Sequence, residues 1–320
     1  MKKLVLALTL AATFAGQNSV ASAATPAVKA IKVLPAKPFL TTTLSGAAGD
    51  QLVAFVTTPI SIVSVGTVES STAVTGVTSG NSDGFIQSVD YQGAVQWSLH
   101  LGGAGDEIAT AIVKDKAGGY LVVGAASATP LAPKPQVNDT GVVINPDGVN
   151  LEPMTSPLNS LTQLMLWRVS VTGQLVATSS LDAKAVIDPT AILATATGLL
   201  VTGGLIAGEG ATGFSSSINP VYQFGPLVTT TKLPPKPLAS ITSIKAGTMI
   251  YKSYLSDGPI KGIPTWKPKS EIPVVLGYNK LGVIKSANYL QGRVLGAQWQ
   301  SGKGLVILTE RSDGFGLTII

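Results

Sequence analysis

The side chains of this chain that could do chemistry are carboxylates placed ahead of apolar segments. Asp50 ends Gly46-Ala47-Ala48-Gly49-Asp50, Asp106 and Glu107 end Gly102-Gly103-Ala104-Gly105-Asp106-Glu107, and Asp188 precedes the apolar stretch Thr190–Ala194. Two carboxylates held about 5 to 10 Å apart could cleave a glycosidic bond, one as acid and one as base or nucleophile. An acid in a tight turn also has a structural use, because it accepts backbone N–H bonds. The apolar segments LVAFV, IATAIV, TAILA, ITSIK and VLGAQW contain no carboxylate. The sequence therefore assembles no catalytic constellation, and no residue is assigned a catalytic role.

Other chemistries find less support. His100 is the only histidine and cysteine is absent, so a zinc cluster, a thiol nucleophile and a disulfide framework are all excluded. No Asp-x-Asp-x-Asp loop offers calcium its oxygens. Gly102 to Gly105 is followed by no lysine and opens no helix, so it does not cradle a phosphate. Neither a metal nor a cofactor is expected. Trp266, flanked by Lys261 and Lys267 in a long loop, could stack on a sugar or anchor a partner. Asp50, Asp106, Glu107, Asp188, Trp266 and Arg293 are thus the candidate binding residues.

The elements that must position these residues are strands. Runs of four to eight residues rich in Val, Ile, Leu and Thr alternate with Gly, Asp, Asn and Pro, and no long helical periodicity occurs. The runs group into units of four strands, the spacing of propeller blades. Unit one is Leu52–Val56, Ile60–Gly66, Gly84–Val89 and Ala94–Leu99. Unit two is Ile108–Val113, Tyr120–Ala125, Leu164–Val169 and Gln174–Ser179. Unit three is Thr190–Ala194, Leu199–Gly203, Val221–Phe224 and Leu227–Thr231, and unit four is Ile241–Lys245, Met249–Tyr254, Val274–Tyr278 and Val283–Tyr289. Unit five has only Val294–Trp299, Leu305–Glu310 and Phe315–Ile319. Phe39–Leu44 is a spare strand, and pairing it with Phe315–Ile319 would close a ring of five blades and remove two open edges.

Ser82 to Ser127 resembles the β-propeller repeat common in secreted bacterial proteins. The residues that carry the likeness are Asp83 and Phe85, Gly93 and Trp97, Gly102-Gly103-Ala104-Gly105-Asp106, Asp115 with Gly118, and Gly124. The other units keep the strand spacing and turn glycines such as Gly173, Gly282 and Gly302. The resemblance implies an all-β propeller whose Asp106 belongs to the repeat itself, and counting the units gives five blades. In that frame Glu69–Asp83, Ser127–Gln163, Gly208–Asn219 and Asp257–Pro273 each join a second strand to a third. All four connections fall on one face, where loops on a rigid scaffold carry function. Of the 17 acidic residues, all but Asp90, Asp115 and Glu310 fall on that face beside several lysines, which gives a mixed-charge surface.

Lys2-Lys3, the apolar run Leu4–Gly16 and Ala21-Ser22-Ala23 have the form of a secretory signal, residues 1–23, cleaved before Ala24. Residues 24–37 are expected as a flexible lead-in and 38–320 as one propeller domain with a loop inserted at 128–160. No later segment is apolar for long enough to form a membrane-spanning helix. Only 12% of residues are charged and the net charge is +5, too small to indicate a nucleic-acid partner. The expected protein is secreted or periplasmic, monomeric and non-enzymatic, and binds a protein or glycan at the cell envelope. A five-bladed glycosidase using Asp50, Glu107 and Asp188, and a structural or assembly protein of the envelope, are the alternatives.

Overall fold

The computed structural model describes residues 31–42, 50–69, 82–103, 105–127, 161–196, 198–207, 210–230, 243–263, 265–312 and 314–320. The signal segment 1–23 and the insertion 128–160 lie outside the described residues. All 21 regular elements among the described residues are strands. Two short ones come first, β1 (Leu34–Pro35) and β2 (Pro38–Thr42). Sheet 1 follows as β3 (Gln51–Thr57), β4 (Ser61–Val68), β5 (Asp83–Asp90) and β6 (Val95–Leu101). Sheet 2 is β7 (Glu107–Lys114), β8 (Tyr120–Ser127), β9 (Leu161–Val169) and β10 (Leu175–Asp182). Sheet 3 is β11 (Val186–Thr195), β12 (Gly198–Ala207), β13 (Gly210–Ile218) and β14 (Val228–Thr230). Sheet 4 is β15 (Ile244–Ala246), β16 (Met249–Ser256), β17 (Ile272–Tyr278) and β18 (Ile284–Tyr289), with β1 added parallel to β18. Sheet 5 is β19 (Arg293–Gln300), β20 (Gly304–Arg311) and β21 (Gly314–Ile319), with β2 antiparallel to β21. Apart from β1, every sheet is a four-stranded antiparallel set, which makes the fold all-β and propeller-like.

Burial within a sheet explains the composition of its strands. The second strand of sheet 1, SIVSVGTV, is buried at every position, and that of sheet 2, YLVVGAAS, at all but the last. A strand covered on both faces reads as a continuous apolar run rather than an alternating one. The outermost strand of sheet 2, LVATSSLD, is largely exposed.

Two local devices recur. The first strands β3, β7 and β11 each carry a register shift, at Leu52/Ala54, Ala109/Ala111 and Pro189/Ala191. Opposite each bulge stands Gly66, Gly124 or Gly203, where a Cβ would run into the carbonyl oxygen of Gln51, Ile108 or Asp188. An aromatic ring from the third strand lies over each of these glycines: Phe85, Trp167 and Phe214. A bulge sharpens the local twist, and a ring over a glycine restores the packing that its missing side chain loses.

The second device is the hairpin from third to fourth strand. Asp90, Ser170, Asn219 and Asn279 each accept, on a side-chain oxygen, the N–H of the residues two and four positions later. The residue three positions on has positive φ: Gly93 at 92°, Gly173 at 81° and Gly282 at 73°, but Tyr222 at 61°. A bulky residue in this region costs about 1–3 kcal/mol. At Tyr222 the contacts of the side chain offset it. Its hydroxyl donates to both Asp115 oxygens at 3.0 Å, and the Arg168 guanidinium covers its ring at 4.4 Å. Arg168 Nε also donates to Asp115 at 2.9 Å. Sheet 3 is thereby pinned to the β7–β8 turn of sheet 2. Tyr222→Phe is expected to lower stability by about 1–2 kcal/mol, read as a lower urea midpoint with an unchanged slope.

Four apolar clusters pack sheet on sheet. Phe55 and Phe85 of sheet 1 meet Leu308, Phe315 and Leu317 of sheet 5, while Val63, Val65 and Ile86 meet Ile112, Val122 and Trp167 of sheet 2. Leu121 and Leu166 of sheet 2 meet Ile187, Val201 and Phe214 of sheet 3, and Val275 of sheet 4 meets Leu305 and Ile307 of sheet 5. The remaining face of sheet 4 packs under its own Ile260, Ile263 and Trp266 with Ile31 and Val33. Gln298 of β19 adds a rung to β3, accepting the Thr57 N–H at 3.1 Å and donating to the Phe55 carbonyl at 2.8 Å.

The structure departs from the sequence reading most in sheet 3 and at the N-terminal end of the described residues. The third strand of unit three is Gly210–Ile218, not Val221–Phe224. The expected loop Gly208–Asn219 is thus strand over most of its length, held by pairing with β12 on one side and β14 on the other. Residues 31–37, expected to be flexible, include β1, where Leu34 and Pro35 pair with Asn288 and Tyr289 and Ala36 donates its N–H to the Tyr289 carbonyl.

Candidate functional site

The polar groups of the described residues converge where sheet 1 hands the chain to sheet 2. Asp83 opens β5, His100 and Leu101 end β6, and Asp106 and Glu107 lead into β7. Asp83, Asp106 and Glu107 are 1%, 0% and 6% exposed. The turn can be this tight because Gly102 has no Cβ, which would otherwise sit 2.5 Å from Asp83 Oδ1. His100 Nδ1 lies 3.5 Å from Asp83 Oδ2. Asp106 Oδ1 accepts the Ser82 N–H at 3.1 Å, and the Glu107 N–H donates to the Ser82 carbonyl at 2.9 Å. On the other side, the Asp106 N–H donates to Ser127 Oγ at 3.0 Å and the Ser127 N–H to the Asp106 carbonyl at 2.8 Å.

Burial pushes the Glu107 carboxyl up from its ordinary 4.5 to about 7; a bond from the Gly103 backbone opposes this, and the charges of Asp83 and Asp106 add to it. The folded chain therefore holds this proton more tightly than the unfolded one. That contribution to stability is complete below about pH 4.5 and is lost as pH rises through about 7.

The remaining candidates do not join this cluster. Asp50 Oδ1 accepts the Glu69 N–H at 2.8 Å, a turn-closing role at the start of β3. Asp188 lies within β11, opposite Gly204, rather than ahead of the strand, because the strand begins at Val186. Arg293 is a surface residue whose guanidinium pairs with Glu310, Nε to Oε2 at 2.8 Å. Trp266 is half-buried and tied to its own scaffold: its Nε1–H donates to Ser256 Oγ at 2.9 Å and its ring rests on Tyr289 at 5.6 Å. The other tryptophans on strands include Trp97, which meets Tyr120 of sheet 2 at 6.0 Å, and Trp299, which stacks on Tyr251 of sheet 4 at 6.1 Å.

The sequence reading named Asp106 and Glu107 but not their partners Asp83, His100, Ser82 and Ser127. A signal was present, since Asp83 and Asp106 both belong to the propeller-like repeat pattern. No group of three or more His, Asp or Glu among the described residues has the arrangement of a metal site. What this geometry does chemically is hold backbone: each acid accepts N–H bonds or shares its charge with a neighbour.

No family model matches the chain, and no curated protein matches it. Among solved structures, it is similar to a protein of unknown function from Bacteroides caccae, at 10% identity and TM-score 0.32 over 83% of this chain and 73% of that one. It is also similar to the hemagglutinin-neuraminidase ectodomain of parainfluenza virus 5, at 9% identity and TM-score 0.37 over 91% of this chain and 74% of that one. Likenesses this distant define neither a family nor an activity.

Proposed function

We propose that this chain is a secreted or periplasmic, non-enzymatic five-bladed β-propeller that binds a protein or glycan of the cell envelope. Its ring closes where β2 joins β21, and its ligand meets the face that carries the connections β4–β5, β8–β9 and β16–β17. One observation carries the reading: three connections of unequal length leave equivalent ends of rigid sheets, while Asp83, Asp106 and Glu107, the acids grouped beside the first two, are buried in the framework. Binding needs variable loops on a fixed scaffold, and catalysis would need accessible carboxylates. The likeness of residues 82–127 to a secreted propeller repeat and the signal-like segment 1–23 support the same reading.

The test is a screen of the intact mature protein against envelope glycans and envelope proteins. A saturable partner is expected, with affinity lost when residues 128–160 are replaced by a short Gly/Ser linker. Turnover of any polysaccharide, without saturable binding, would overturn the proposal.

A further inference from the structure

We infer that the turn joining sheets 1 and 2 is a proton-dependent latch that fastens the roots of two long loops, closed while Glu107 and Asp83 share a proton and loosened when both are charged. Four hydrogen bonds of the dipeptide Asp106-Glu107 go to loop roots. Two go to Ser82, where the connection spanning residues 70–81 returns to β5, and two go to Ser127, where the connection spanning residues 128–160 leaves β8.

The charges around that dipeptide are unbalanced. Glu107 faces Asp83 from β5 through a side-chain hydrogen bond, with Asp106 adjacent to it in the turn. A carboxyl can donate to a carboxylate only while it carries a proton, and a second charge at such separation is strongly disfavoured. From β6 the facing group is His100, which sits against Asp83. From β8 it is the neutral Ser127, and β4 ends at Val68 with no ionisable side chain of its own. Asp50 precedes β3 and Asp188 lies in β11, near the starts of neighbouring first strands, and Asp50 is engaged with the Glu69 N–H. Burial of Glu107 places its titration at about 7, so the latch would loosen across the interval from acidic to neutral pH.

The inference rests on the fold and not on any ligand, so hydrogen exchange on the full chain tests it apart from the binding proposal. After correction for intrinsic exchange rates, the amides of Ser82, Glu107 and Ser127 are expected to lose about tenfold or more of their protection between pH 5 and pH 7.5. The Leu166 amide, in the middle of β9, should change far less. In Glu107→Gln, whose amide can donate to Asp83 at any pH, the three amides should keep their acid-side protection at pH 7.5. A flat wild-type profile overturns the latch, as does an equal loss at Leu166 or a variant that follows the wild type. Should the variant not fold, the wild-type profile against Leu166 decides alone.

Discussion

A chain lacking residues 315–320 shows no cooperative thermal unfolding transition and elutes as an expanded or aggregated species. The expectation follows from what β21 touches. It is the third strand of sheet 5, pairing with β20 from Val306↔Ile319 to Arg311↔Gly314 and with β2 from Pro38↔Thr318 to Thr42↔Phe315. Its removal leaves β2, far away in sequence, without a partner and opens one edge of β20, which keeps only β19. Beyond the strand, Ile320 and Leu305 exchange both backbone bonds at 2.9 and 3.0 Å. Phe315, Leu317 and Thr318 are 8%, 4% and 2% exposed, and the two apolar ones pack in the cluster that joins sheet 5 to sheet 1. Each buried apolar side chain is worth about 1.5–3 kcal/mol. Together with the unpaired edges the loss reaches the whole stability of an ordinary domain, about 5–15 kcal/mol. Circular dichroism melting and size-exclusion chromatography read the outcome. A truncated chain that melts within a few degrees of the full one would show that β2 and β20 do not depend on β21.

How far the sequence reaches depends on which force sets each element. The second strands of sheets 1, 2 and 5 were legible because both faces are covered, which leaves uninterrupted apolar runs such as Leu121–Ala125 and Leu305–Leu308 between glycine turns. The spare strand near residue 39 was legible for a different reason, since the fifth unit ended one strand short. β13 was not legible. Its sequence GATGFSSSI has no apolar period, and only Phe214, Ser216 and Ile218 point into the packed side. Val221–Phe224 looked like a strand because it is aromatic and β-branched, yet Val221 is exposed and Tyr222 is there to reach Asp115 across the sheet boundary. That hairpin repeats the ones at Asp90, Ser170 and Asn279, but with Tyr in the glycine's place the echo is hidden. β1 was out of reach for a similar reason: two residues including a proline carry no strand pattern, and their pairing with β18 comes from tertiary packing. The buried cluster was half legible. Asp106 and Glu107 announce themselves through the Gly-Gly-x-Gly-Asp turn, but their meeting with Asp83 and His100 depends on the pairing of β5 with β6 and its contact with β7.

Gly66→Ala is expected to destabilise the protein by about 3 kcal/mol or more, although glycine to alanine within a strand ordinarily stabilises by reducing the freedom of the unfolded chain. The sign reverses here because the position has no room. An added Cβ would enter the Gln51 carbonyl oxygen and approach to 2.8 Å from the Phe85 ring. Moving that carbonyl means undoing the bulge at Leu52/Ala54, and moving Phe85, which is fully buried, means opening the core shared with sheet 5. Gly258→Ala is the matched comparison, since nothing lies within 4 Å of its Cβ position, and it should change stability by less than about 0.5 kcal/mol. Urea denaturation of both variants separates the two cases. Equal and small effects would mean that the bulge is soft and the glycine incidental. A large effect at Gly66 alone would extend to Gly124 and Gly203, where the same arrangement recurs with Ile108 and Asp188.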